Sequence, residues 1–284
     1  MKLSRVLLIT NDTKPDAVRA ATEIAAWCLA RKIACATVAL PIPQAPETVG
    51  CAVGSEGTVA CALGGDGTVL RAAALVAKAG VPILGVNVGS LGFLSRTSLE
   101  LLFPTLERIA RGEYEIDERM RLAYSAGVVR GTVLNDIVVA GVTPRLLEIR
   151  LSWREGVAVT LSGDGLIIAT PTGTTAYSLS LGGPIAVPTA ECVVVTPHAA
   201  HLLGLRSLVF SRDDELRVSA PAEVRLVADG DEVGRVAAGT EIVVRRADAP
   251  TRLVRPSGAP GFFETLTTKL NWPGPADRRR TNWT

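Results

Sequence analysis

The chain has 284 residues, a net charge of +2 and 48% hydrophobic residues. That length buries a sizeable core, in one large domain or two modest ones, and the near-neutral charge argues against a polyanion-binding surface. Aromatic residues make up only 4%, too few for a base-stacking platform, so no nucleic-acid partner is expected.

The first third alternates strand and helix patterns. Residues 5–10 (RVLLIT) predict a buried strand, too short an apolar run for a signal peptide. No stretch approaches the roughly 20 apolar residues of a membrane span, so the expectation is no membrane partner and a cytoplasmic location. Residues 15–31 predict a helix, with Pro15 at its first position and Val18, Ala21, Ala25, Cys28 and Leu29 at helical spacing. Residues 34–40 predict a second strand, followed by the Pro-rich link PIPQAP. Residues 58–63 form a strand running into Gly64-Gly65-Asp66-Gly67-Thr68, and residues 69–79 a helix closed by Gly80 and Pro82. A strand at 83–88 and a helix over 98–111, interrupted or begun by Pro104, complete the pattern. Continuous apolar strands alternating with helices imply a Rossmann-like parallel sheet covered on both faces.

Near residue 114 the pattern changes to short β-type runs, at 121–130, 132–140, 146–153, 165–170, 191–196, 223–228 and 241–246. Gly/Asp turns punctuate them and one short helix follows Gly173, which predicts a β-sandwich-like domain. The expected division is an α/β domain over 1–113, a β-rich domain over 114–257, and a segment over 258–284 returning to the first domain. Within that segment 262–270 (FFETLTTKL) form a short element, and 273–284, with Arg278-Arg279-Arg280, a frayed, solvated tail. The cysteines, Cys28, Cys35, Cys51, Cys61 and Cys192, are odd in number and show no C-x-x-C pair. They read as reduced thiols, with neither zinc nor disulfides.

The loop Gly64–Thr68 carries the chemistry. Ligands of open α/β sheets bind beyond the carboxyl ends of the strands, and glycines there let backbone approach a phosphate. Gly64, Gly65, Gly67 and Thr68 form the expected phosphate cradle, and the loop lacks the lysine of a Walker P-loop. Asp66 either accepts a proton from an attacking hydroxyl, holds a metal on the phosphates, or merely caps a tight turn. Arg71, one turn into the helix, is either a phosphate contact or an exposed helix charge. A second constellation reads SGDGLIIATPTGTTAYSLSLGGPI over 162–185. Its hydroxyl-rich turn offers N–H and O–H groups to a polar ligand, Ala176 leaves room for a flat ring, Tyr177 stacks or hydrogen-bonds, and Asp164 grips hydroxyls. The alternative is an ordinary Thr-rich turn. Asn135-Asp136, set in the apolar frame TVLNDIVVAG, is either a ligand-reading pair or a β-bulge.

Together these residues resemble the NAD kinase family. The GGDGT loop is shared with lipid kinases and 6-phosphofructokinases; the stretch GDGLIIATPTGTTAYSLSLGGPI is far more specific. Supporting matches are Asn87-x-Gly89-x-Leu91-Gly92-Phe93-Leu94, Leu134-Asn135-Asp136, Pro197-His198, Asp229-Gly230 and the terminal FFETLTTKLNW. The resemblance implies phosphoryl transfer from ATP or polyphosphate, with Mg²⁺ or another divalent metal, to the 2′-hydroxyl of the adenosine ribose of NAD. It implies Asp66 as general base, Asn135 and Asp136 as adenine and ribose contacts, and Asp164 near the nicotinamide half. It also implies Thr175, Ala176, Tyr177, Ser178 and Ser180 as the NAD-lining turn, Arg145 as a substrate contact, and a homodimer or homotetramer built through the β domain. No protein-held metal site is expected. Two positions depart from the family pattern: Ser162 stands where a basic residue is common, and Asp231 where Gln often follows Asp-Gly. His198 reads as structural. Rival readings are a lipid kinase, which would not need the GTTAY turn, and a non-catalytic dinucleotide sensor, in which the loop carboxylate would be lost.

Overall fold

The computed structural model describes residues 3–40, 54, 56–89, 92–143, 145–154, 156–202 and 204–272. The link at 41–46, Cys51, Leu91 and the segment 273–284 lie outside these residues. The chain divides into two compact units: one runs to Glu118 and resumes at Arg252, the other spans Arg119–Thr251.

The first unit alternates β1 (Arg5–Asn11), α1 (Pro15–Ala30), β2 (Ala34–Leu40), β3 (Thr58–Gly64), α2 (Asp66–Val76), β4 (Ile83–Asn87), β5 (Thr97–Ser98), α3 (Leu102–Ala110) and β6 (Glu115–Arg119). Strands β2, β1, β3 and β4 lie side by side and parallel. Every residue of β3 is buried, as the continuous apolar run requires of a strand covered on both faces. Helix α1 buries Ala17, Ala20, Ala21, Ile24, Trp27 and Cys28, the stripe that its spacing predicts. Helix α2 begins at Asp66, three residues before the predicted start. Gly65 is extended and acts as N-cap, an acidic residue suits the first turn, and Gly67 falls where helix propensity matters least. Pro104 lies in the first turn of α3, where a backbone N–H has no intrahelical acceptor to lose.

The second unit is a sandwich of two six-stranded sheets whose recorded pairings are antiparallel. Its strands are β7 (Leu122–Ala126), β8 (Val129–Val133), β9 (Asp136–Gly141), β10 (Leu147–Trp153), β11 (Gly156–Gly163), β12 (Gly165–Ala169), β13 (Cys192–His198), β14 (Leu208–Ser211), β15 (Leu216–Ser219), β16 (Val224–Ala228), β17 (Asp231–Val236) and β18 (Ile242–Arg246). One sheet runs β11-β10-β15-β18-β7-β8, the other β14-β13-β12-β9-β16-β17. Alternate residues of both meet in one core, for example Leu147, Ile149 and Leu151 of β10 with Ile137 and Val139 of β9 and Leu166 and Ile168 of β12. The run 121–130 is a hairpin rather than one strand, turning at Gly127 with φ 58°. Helix α4 (Tyr177–Ser180) follows a 3₁₀ turn at Gly173–Thr175.

The chain then returns. Strand β19 (Thr251–Arg255), within the stretch read as β-rich, pairs parallel to β4 at Leu253 and Ile83, and Val254 joins the first unit's core. Strand β6 flanks β19 in the same sheet. Helix α5 (Phe262–Leu270) packs Phe262 against Phe93, ring centroids 6.2 Å apart. A parallel α/β sheet, a β-sandwich and a C-terminal segment back on the first unit are the architecture that the sequence predicts.

Candidate active site

In the first unit the site begins where β3 ends. Thr68 turns its hydroxyl back to accept the Gly65 N–H at 3.4 Å, so its oxygen braces the turn from within. A Cβ at Gly64 would lie 2.8 Å from Cβ of Thr68, which is why glycine stands there. Gly67 and Arg71 are exposed, and a Cβ at Gly67 would meet nothing within 4 Å. The N–H groups of Asp66 and Gly67, in the first turn of α2, have no intrahelical acceptor and suit an anion.

Asp66 is half-buried and heavily engaged. Its Oδ1 accepts the N–H groups of Leu94 and Ser95 and the Ser95 hydroxyl, each at 3.0 Å. Among the described residues its Oδ2 accepts the Phe93 N–H alone, at 2.8 Å. A carboxylate oxygen has two lone pairs, so Oδ1 is saturated while Oδ2 retains capacity for one more donor. A Cβ at Gly92 would lie 2.7 Å from Cγ of Asp66, so the segment 92–95 closes on the carboxylate only with glycine there.

Lys14 is a functional candidate that motif reading overlooks. Its Nζ stands 4.0 Å from where a Cβ on Gly65 would be. Asn11 ends β1 and its side-chain oxygen accepts the Thr13 N–H at 3.1 Å and the Thr13 hydroxyl at 2.7 Å. This Asx turn delivers Lys14 to the start of α1, at the carboxyl end of the strand beside β3. The available signal is topological: in a parallel sheet, residues just after neighbouring strands converge.

In the second unit the two sequence constellations meet. The Thr170 N–H donates to the Asn135 carbonyl at 2.8 Å, the Thr170 hydroxyl to the Leu134 carbonyl at 2.6 Å, and the Gly173 N–H to the Thr170 hydroxyl at 3.0 Å. A Cβ at Gly173 would lie 2.8 Å from Cα of Asn135, so the turn rests on backbone. Asp229, at φ 48°, accepts the N–H groups of Leu134 at 2.8 Å, Asn135 at 2.7 Å and Asp136 at 3.3 Å. The Tyr177 N–H reaches the Asp136 carboxylate.

Asp136, which is buried, and Asp229, which is half-buried, thus form an acidic pair. Burial, and then the neighbouring Asp229, push the Asp136 carboxyl up to about 7, against the Tyr177 N–H. Burial also raises Asp229, against its three N–H donors and the Arg121 guanidinium. Arg121 is buried and donates to the Thr132 hydroxyl; Arg119, also buried, donates to the Thr172 hydroxyl at 3.3 Å. Neither arginine stands out in the sequence, where alternation in a strand end reads as solvent-facing.

The remaining predicted positions divide by accessibility. Ala176 is half-buried, and Tyr177 and Ser180 are exposed. Thr175 is half-buried and donates to the Thr172 carbonyl at 3.1 Å. Ser178 is buried with its hydroxyl 2.8 Å from that of Thr196, so it braces the turn from behind. The Tyr177 hydroxyl stands 3.3 Å from Nε2 of His198, their rings edge to face at 5.6 Å. Asp164 is exposed between β11 and β12, and its N–H donates to the His198 carbonyl at 2.9 Å. Arg145 is exposed in the connection from β9 to β10. Of the two departures, Ser162 lies in β11 opposite Glu148, and Asp231 opens β17, exposed.

A parallel sheet ending in a carboxylate-bearing glycine turn, in one chain with a sandwich that presents a hydroxyl-rich turn, is the arrangement of a two-domain phosphotransferase. Residues 47–114 match the ATP-NAD kinase N-terminal domain and residues 134–256 the ATP-NAD kinase C-terminal domain. The NAD kinase of Geotalea daltonii is 37% identical over 293 residues, covering 95% of this chain and 99% of that one. The NAD kinase of Heliobacterium modesticaldum is 36% identical over 290 residues, covering 93% and 97%. The chain belongs to the ATP-NAD kinase family. Two solved structures share its fold. Yeast NADH kinase, complexed with NADH, has a TM-score of 0.82 at 20% identity, covering 96% of this chain and 89% of that one. An NAD kinase from Archaeoglobus fulgidus, in complex with ATP, has a TM-score of 0.73 at 24% identity, covering 96% and 100%.

Proposed function

We propose that this chain transfers the terminal phosphoryl group of ATP to the 2′-hydroxyl of the adenosine ribose of NAD, giving NADP. The observation that carries the reading is the state of Asp66. Four donors fix the carboxylate in place, yet Oδ2 keeps a lone pair for an incoming hydroxyl. In the proposed step the 2′-hydroxyl donates to Oδ2, its oxygen attacks the terminal phosphorus in line, and the bond to the leaving diphosphate oxygen breaks. Asp66 takes the proton. Most of the acceleration comes from positioning and charge stabilisation, because the transferring phosphoryl needs little covalent help.

The first-turn N–H groups of α2, with Gly64, Gly65 and Gly67, cradle the donor phosphates in this reading, and Lys14 supplies a positive charge that the loop itself lacks. Arg71 is the second cation of that surface. Asn135 and Asp136 read the adenosine, the turn Thr175–Tyr177 with Ser180 lines the dinucleotide, and Asp164 and Arg145 complete its contacts. Thr68 and Ser178 act from behind, as braces.

Among the described residues no three His, Cys, Asp or Glu side chains gather as a metal cage. Mg²⁺ would then be carried mainly by the donor phosphates, because the lone pair left on Asp66 Oδ2 is assigned to the 2′-hydroxyl. The ion would neutralise charge on the phosphates. No helix among the described residues is long and apolar enough to cross a membrane. A cytoplasmic homodimer or homotetramer assembled through the β unit remains part of the proposal, and sedimentation of the purified protein tests the oligomer.

The reaction is tested by incubating the protein with ATP, Mg²⁺ and either NAD or 2′-deoxy-NAD and measuring the phosphorylated dinucleotide by mass. Product from NAD alone is expected. Equal product from the 2′-deoxy compound would place the phosphate elsewhere. Polyphosphate in place of ATP tests the donor, and dinucleotide binding without turnover on either donor would favour a sensor.

A further inference from the structure

Strand β4 reads ILGVN, with Gly85 at its centre. A glycine inside a strand loses more chain entropy on folding than any other residue and packs no side chain, so it marks a place where something must come close. Here another stretch of backbone does. A Cβ at Gly85 would lie 2.6 Å from the Leu94 carbonyl oxygen, 2.9 Å from Cα of Ser95 and 3.0 Å from Cγ2 of Val69 in α2. The segment 94–95 is therefore pressed onto the strand, beside the helix that carries Asp66.

The Leu94 carbonyl and the Ser95 N–H belong to one peptide group. A trans peptide is planar, with its C=O and N–H pointing in opposite directions. The oxygen is lodged over Gly85, while the N–H donates to Oδ1 of Asp66 at 3.0 Å. One rigid unit thus reaches from β4 to the carboxylate. The Leu94 N–H and the hydroxyl of Ser95, a fully buried residue, donate to the same oxygen at 3.0 Å each.

We infer that Gly85 is a positioning residue for phosphoryl transfer: by seating the Leu94–Ser95 peptide it directs the proton to Oδ2 of Asp66. The inference rests on the reading of Asp66 as proton acceptor. Three donors meet Oδ1 and one meets Oδ2. A proton arriving on Oδ1 would have to displace donors, whereas one arriving on Oδ2 leaves all three in place. Moving the peptide moves those donors and turns the carboxylate with them. A methyl group at position 85 needs a contact distance of about 3.5 Å, so it drives the peptide toward Asp66 by roughly 1 Å. Misplacing a reacting group by that much costs on the order of a hundredfold in rate.

Steady-state kinetics of the full-length wild type, Gly85→Ala, Asp66→Ala and the double variant test this, with radiolabelled ATP so that slow turnover is read. Gly85→Ala should lower kcat about 10- to 100-fold, with KM for NAD and for ATP changed by less than about threefold. In the Asp66→Ala background no carboxylate is left to aim, so Gly85→Ala should change the residual turnover by less than about twofold. General damage lowers turnover in both backgrounds alike, and that result overturns the inference. So does an unchanged kcat in folded Gly85→Ala, or an effect confined to KM. Ser95→Ala tests the same seat by removing one Oδ1 donor without adding an atom, and it decides the matter should Gly85→Ala not fold. A fall in kcat of about tenfold, absent in the Asp66→Ala background, is expected, and an unchanged kcat overturns the seat. No NADP from the wild type, or turnover that Asp66→Ala leaves intact, removes the parent reading and this inference together. Turnover that Asp66→Ala abolishes and Gly85→Ala keeps removes this inference alone.

Discussion

The backbone N–H of Phe93 donates to Oδ2 of Asp66 at 2.8 Å, joining the glycine turn to a segment 27 residues further along the chain. The Phe93 ring lies against Phe262 of the C-terminal helix, and Lys269 Nζ sits 5.6 Å from its centroid. The helix that returns to the first unit therefore stabilises the residue that holds the proposed base. Three of the four donors that hold Asp66 are backbone N–H groups, which have fewer ways to move than side chains.

Lys14 Nζ stands 4.0 Å from where a Cβ on Gly65 would be, and in this reading it faces the donor phosphates. Lys14→Gln is expected to raise KM for ATP about tenfold or more, the scale of one charge-assisted hydrogen bond, with little change in kcat. Steady-state kinetics at varied ATP check it. An unchanged KM would remove Lys14 from the phosphate surface.

Gly173 rests on the Asn135 backbone, so Gly173→Ala places a methyl group where only rearranged backbone can admit it. A loss of about 2–3 kcal/mol is expected, roughly 5–10 °C in Tm, together with weaker NAD binding because both motifs shift. Thermal unfolding and NAD titration read the two effects. A stable variant with normal affinity would show that the contact is not needed.

The acidic pair gives a pH dependence whose sign is fixed. Folding raises Asp136 from an ordinary 3.8 to about 7, so the folded protein holds a proton that the unfolded chain releases. The contribution to stability is full below about pH 4 and is lost as pH rises through 7. Asp136→Asn keeps an acceptor for the Tyr177 N–H and removes the titration. It should flatten the stability profile between about pH 4 and 7 and raise stability at pH 8 by on the order of 1–4 kcal/mol. Denaturant unfolding across that range measures it; a parallel decline in both proteins would refute the coupling of the pair.

Much of the fold was legible because burial on both faces writes itself as unbroken apolar runs. Strands β1 and β3 and helix α1 lie where the apolar pattern puts them, and the segment 262–270, read only as a short element, is a helix. Strands β6 and β19 were harder to assign, since a short strand records its own burial and not which sheet it joins. The start of α2 was missed by three residues because Gly67 reads as loop, while the Gly65 cap sets the boundary. In the site, the residue types were visible but not their partners. Asn135 and Gly173 are far apart in sequence and meet through backbone, which leaves no side-chain signature. Arg119, Arg121 and Lys14 were overlooked because a lone basic residue in a strand end or turn reads as solvated.

The most direct test is NADP formation from NAD, ATP and Mg²⁺ by the wild-type protein, Asp66→Asn and Asp66→Ala, read with an NADP-specific dehydrogenase. Circular dichroism shows whether each variant is folded. A fall in kcat of about 10²–10⁴ in both folded variants is the expected result, the range for loss of a positioned proton acceptor. Near-normal turnover in either would contradict the role given to Asp66, and with it the reading of the glycine turn as the centre of catalysis.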